Sequence, residues 1–114
     1  NAVKHFKQEP RGKRRIHKTP LVREISACRW WLDAERRLVK PKVIVTLGAT
    51  AALGVLNRKI AVTQERGKAM LHPDGAHVMA TVHPAYLLRL PDESARLAER
   101  GRFIEDLKRV RAMF

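Results

Sequence analysis

Two histidines and a cysteine stand out as side chains able to do chemistry. His17 closes the run Lys13-Arg14-Arg15-Ile16-His17. Three neighbouring cations favour the neutral imidazole, the form that attacks as a nucleophile or accepts a hydrogen bond. Those cations also suit phosphate, although a charge run is more often a solvated or disordered tail. His83 follows the apolar run His77-Val78-Met79-Ala80-Thr81-Val82 and precedes Pro84, so it stands where an expected strand ends. Cys28 is the single cysteine. It excludes an intrachain disulfide and points to an intracellular protein.

The elements that must position these residues follow from patterning. From Lys4 to Arg23 the chain carries eight basic residues against one acid, Glu9, with Pro10, Gly12 and Pro20 interspersed. No helical period runs through it, which predicts a long basic loop. Thr19 as N-cap and Pro20 at the first helical position open a helix with Glu24 in its first turn. Its apolar stripe is Leu21, Ile25, Cys28, Leu32 and Val39, and Pro41 ends it. Lys42 to Leu47 is β-branched without alternation, as in a parallel strand buried on both faces. Gly48 turns the chain into a short helix from Ala49 to Leu56. Asn57 to Gly75 forms a less regular connection with a short strand at Ile60-Ala61-Val62. A second buried strand covers His77 to Val82. Asp92 caps a final helix to about Met113, with Phe103, Leu107, Val110 and Phe114 as its stripe and Glu105 supporting Arg109.

Strands alternating with helices give an α/β domain with a parallel sheet. Ligands bind such sheets at the C-terminal ends of strands. His83 occupies one such end, and Asn1 with the basic loop occupies another if a strand precedes it. The glycines do not match a dinucleotide fingerprint.

Size and charge narrow the partners. A chain of 114 residues holds one domain. Its 24 Lys and Arg against 11 Asp and Glu leave a formal charge of +13. A polyanion, nucleic acid first, relieves that self-repulsion. A membrane surface ranks second, but no stretch approaches the ~20 apolar residues that span a bilayer. The opening Asn1-Ala2-Val3-Lys4-His5 lacks a signal-peptide core and an initiator Met, which suggests a cut chain.

Asn-Ala-Val-Lys at 1–4, Val-Thr-Leu-Gly-Ala-Thr-Ala-Ala at 45–52, Arg66-Gly67 and Thr81-Val82-His83-Pro84-Ala85-Tyr86-Leu87-Leu88-Arg89 together resemble the iron–sulfur uracil-DNA glycosylases. The Lys-Arg-Arg-Ile-His loop is similar to that of the X-type members, in which the histidine attacks the deoxyribose and stays covalently attached to DNA. The resemblance runs from Asn1 to the last helix. It implies a three-layer α/β/α domain with a central parallel sheet, of which residues 1–114 are the C-terminal part, the N-terminal part being missing. It also implies a DNA-repair enzyme that excises uracil from single- or double-stranded DNA.

By this resemblance Asn1 reads N3–H and O4 of uracil, a pattern cytosine cannot satisfy. His83 bonds uracil O2 and stabilises the leaving uracilate, and His17 attacks C1′. Lys13, Arg14, Arg15, Lys18 and Arg89 take phosphates, while Leu87 is the apolar wedge beside the flipped base. The family usually has Ser after His-Pro; Ala85 stands here and offers only its amide. A 4Fe-4S cluster is implied for the complete protein, with Cys28 and His5 as candidate ligands. The remaining ligands, the Gly-Glu-x-Pro-Gly loop and the aromatic that stacks on uracil belong before Asn1, so this fragment alone is expected to hold no cluster and to be inactive. The expected protein is a cytoplasmic, nucleoid-associated bacterial monomer with no membrane partner.

A competing reading is a basic DNA-binding module that keeps the fold without chemistry. An RNA-binding α/β domain fits less well, because aromatics make up only 5% of the chain. If the basic residues meet phosphates, DNA affinity should fall with salt at a log–log slope of about −0.7 to −0.9 per phosphate neutralised. A titration by fluorescence anisotropy reads that slope.

Overall fold

A computed structural model describes residues 1–5, 8–11 and 14–114, with the backbone alone at 8–11 and 14–17. In chain order the elements are β1 (Gln8–Arg11), β2 (Arg14–His17), α1 (Val22–Val39), β3 (Val43–Leu47), α2 (Ala49–Leu56), α3 (Val62–Glu65), β4 (Ala69–Leu71), β5 (His77–Thr81), α4 (Pro84–Arg89) and α5 (Glu93–Arg111). Part of the expected basic loop is instead strand: β1 pairs antiparallel with β2, from Gln8 opposite His17 to Arg11 opposite Arg14. Lack of a helical period is as compatible with strands as with a loop.

The main sheet has the order β3-β5-β4. β3 and β5 run parallel, from Val43 opposite His77 to Leu47 opposite Thr81. β4 is antiparallel to β5, so the sheet is mixed rather than wholly parallel. The strand expected at 60–62 is absent. Ile60 is buried with Ala52 and Ala80, and Val62 opens α3. As the middle strand, β5 is the better buried, whereas most of β3 is half-buried, as suits an outer strand.

Successive β5 residues serve opposite faces. Ala80 packs with Ala52 of α2 and with Ile60. Thr81 turns to α5, where its hydroxyl donates to Asp106 Oδ2 at 2.6 Å. Arg66 Nε donates to the same oxygen at 2.9 Å, and its Nη1 reaches Glu99 at 2.7 Å. Gly67, next along, donates its amide to Ala80. With φ at +73° and its Cβ position 2.8 Å from Asp106, residue 67 must be glycine.

α1 begins two residues later than expected. Leu21 is the N-cap, and its amide donates to the Glu24 carboxylate at 2.7 Å. That bond satisfies the cap from three residues on, so neither Thr19 nor Pro20 is needed to start the helix. The expected α1 stripe is only partly covered: Ile25 is buried, but Val39 is 75% exposed. Asp92 does cap α5, accepting from the Ser94 amide. In α5 the buried residue is Asp106, while Phe114 is 82% exposed. Glu105 pairs with Lys108 rather than Arg109, because the three-residue spacing lies on the same face equally well.

Burial alone would lower the Arg66 guanidinium pKa, but its bonds to Glu99 and Asp106 raise it. The bond from Arg66 holds the Glu99 carboxyl below the usual glutamate range against its own burial. Asp106→Ala leaves Arg66 buried beside an empty partner position and should cost about 3–5 kcal/mol in urea denaturation. A depressed glutamate contributes stability above its ordinary pKa of about 4.3 and loses it as pH falls through the folded value. Acid unfolding should therefore be shallower in Glu99→Gln than in wild type below that pH.

Candidate active site

His83 is placed by three local features. β5 ends at Thr81, and the Thr81 carbonyl accepts from the Gly48 amide at 2.9 Å. That bond continues the β3–β5 pairing past the end of β3 and draws the turn against the histidine. Gly48 has φ of +90°, and a Cβ there would lie 3.2 Å from His83 Cβ. Both facts require glycine at this turn. The third feature is the cap of α4, with Pro84 in its first turn.

His83 Nδ1 accepts from the Ala85 amide at 3.0 Å. With Nδ1 used as acceptor, a neutral imidazole keeps its proton on Nε2 and is a hydrogen-bond donor there. The ring is exposed. The Ala85 amide, the group left to meet a phosphate after His-Pro, donates to His83 in this structure, and a phosphate contact at that amide would compete with the bond.

The segment carrying Asn1 lies on α2 and α1. A Cβ on Gly54 would sit 3.0 Å from Ala2 Cβ. Lys4 pairs with Glu35, and that contact holds the Glu35 carboxyl below its ordinary range. Gly48 and Gly54 are six positions apart, so α2 receives His83 and the Asn1 segment about 9 Å from each other along its axis. Asn1 itself is exposed. His5 Nδ1 and Cys28 Sγ stand 4.0 Å apart, which brings together the two expected metal ligands. Among the described residues no group of three or more His, Cys, Asp or Glu side chains gathers as a metal site.

On α4, Leu87 is half-buried and Arg89 is exposed, while Leu88 is 83% exposed. Lys18 is exposed beyond β2. Lys13 lies outside the described residues, as do the side chains of Arg14, Arg15 and His17. Sequence reasoning missed Gly54 as the seat of the Asn1 segment and Leu88 as the protruding apolar group of α4. The signal for Gly54 was a glycine within a helical run otherwise made of small and aliphatic residues. No helix is long and apolar enough to cross a membrane among the described residues.

An exposed histidine stands at the C-terminal end of the middle strand, beside a glycine turn from the parallel neighbour, which is the end of an α/β sheet where ligands generally bind. The family model described as the uracil DNA glycosylase superfamily matches residues 1–108, and the chain belongs to that superfamily. A curated relative, a type-4 uracil-DNA glycosylase of Thermotoga maritima, is 40% identical over 74 residues. That match covers 64% of this chain and 38% of the relative, so the chain spans well under two thirds of that protein's length.

Gly48→Ala forces a side chain into the left-handed region against His83. It should cost about 1–2 kcal/mol, read by chemical denaturation. It should also shift the His83 ring resonances in NMR spectra, whereas Gly101→Ala, which meets no atom within 4 Å, should leave them in place.

Proposed function

We propose that the complete protein excises uracil from DNA. The observation that carries this reading is His83, held at the end of β5 with Nδ1 occupied by the Ala85 amide and Nε2–H left as donor. A donor fixed in that tautomer suits uracil O2, where negative charge develops as the N-glycosidic bond breaks. The Asn1 side chain would read N3–H and O4. Lys13, Arg14, Arg15, Lys18 and Arg89 would take phosphates. Leu87 or its more exposed neighbour Leu88 would fill the space left by the flipped base.

In the first step the C1′–N1 bond breaks and uracil leaves with the bonding electron pair, as uracilate. We assign the second step to His17: an imidazole nitrogen bonds C1′ of the cationic sugar and the ring then gives up its other proton to solvent. The basic run at 13–17 favours this covalent course. Hydrolysis, in which water bonds C1′ and loses a proton, is the alternative outcome. A longer chain would complete a three-layer α/β/α fold around a parallel sheet. Cys28 and His5 would then supply two ligands of a 4Fe-4S cluster, in keeping with their 4.0 Å approach, and the cluster would tie the Asn1 segment to α1.

The test uses the complete protein and a labelled uracil-containing oligonucleotide. Wild type should form an adduct that survives boiling in detergent. His17→Ser should release DNA with an abasic site, because water can occupy the vacated space. His83→Ala should slow both outcomes by about 100- to 1000-fold. Abasic product with no adduct from wild type would make the enzyme hydrolytic. DNA binding with neither product would leave a non-catalytic module.

A further inference from the structure

We propose that a basic cleft at the opposite end of the sheet from His83 is a second nucleic-acid surface, which binds phosphates of a DNA segment remote from the excised base. The cleft has a volume of about 1090 Å³ and is lined by five cations against two carboxylates. It opens where β3 and β5 begin and where α1 and α2 end. At about 3.3 Å per strand residue, Lys42 stands roughly 16 Å along the sheet from Leu47, beside which His83 lies.

Two of the five cations are used by the fold. Arg29 donates to the carbonyls of Leu53 and Gly54 at the end of α2. Arg36 engages Asp33, His72 and Asp74. These contacts occupy both cleft carboxylates, so the remaining cations face no acid that lines it. Arg37, Lys40 and Lys42 are exposed, and no hydrogen bond or ion pair engages their side chains among the described residues. Arg37, in the last turn of α1, complements the helix dipole. Lys40 and Lys42 lie at or beyond the helix end, where that role is fading.

Apolar groups, Pro41, Leu56 and Pro73, line the cleft beside these cations. Cations interleaved with apolar groups suit a strand that offers phosphates to the first and sugar or base edges to the second. An acidic peptide would need only the cations. The inference rests on the DNA-binding part of the reading above and not on excision.

The test measures anisotropy of a labelled, uracil-free 30-nucleotide DNA with the full chain. Arg37→Glu, Lys40→Glu and Lys42→Glu together should weaken binding at least tenfold at low salt. They should also make the log–log salt slope less steep by about 2, the contribution of two to three phosphates. The corresponding Gln triple, milder toward the helix end, should show the same slope change with a smaller loss. Lys68→Glu, Arg100→Glu and Arg111→Glu together make an equal charge change elsewhere and should cost less than threefold. Equal losses in the two Glu triples would reduce the effect to net charge and overturn the proposal. An unchanged slope in the cleft variants would overturn it too. Because the DNA carries no uracil, failure here leaves the excision reading intact, and failure of excision leaves this result readable.

Discussion

One carboxylate oxygen joins three parts of this fold. Asp106 Oδ2 accepts from the Thr81 hydroxyl of β5 and from Arg66, which follows α3, while its own chain is α5. Charges taken this far from water gain little net stability from each other. What the cluster supplies is uniqueness: α5 cannot rotate or slide on the sheet without stranding Arg66 or Asp106. Thr81 is also the residue whose carbonyl fixes Gly48. The strand end that presents His83 is thus tied on one face by a buried acid and at its edge by the neighbouring turn.

His83 shows how a fold can set tautomer before any ligand arrives. Capping by its own side chain gives Nδ1 a donor, and the proton of the neutral ring stays on Nε2. Pro84 lacks an amide, so Ala85 supplies the first free N–H that can reach the ring. The dipeptide His-Pro therefore has a physical meaning at a strand end, namely an imidazole oriented by the helix it starts.

The patterns that were legible in the sequence were those with many residues voting together. The apolar runs at 43–47 and 77–81 gave both parallel strands, and Asp92 gave the start of α5. Elements decided by a few distant contacts were not legible. β4 has three residues and exists because Met70 lies opposite Val78. Burial of Asp106 depends on Arg66 forty residues earlier, which no local pattern on this charged helix signals. The close pairing of His5 with Cys28 followed from the resemblance and not from any local pattern. The start of α1 was misread because Glu24 fills the role assigned to Thr19.

The sheet order also has a practical side. β3 is an outer strand, and among the described residues no strand pairs with its far edge. Val43-Ile44-Val45-Thr46-Leu47 is a β-branched, uncharged stretch with Lys42 as its one flanking charge and Leu47 39% exposed. Such an edge is a template for another strand. A body of 114 residues handled by itself offers this template to its own copies, and the mutual repulsion of thirteen surplus positive charges opposes that pairing. High salt screens that repulsion and so weakens the one charge-based barrier to such pairing.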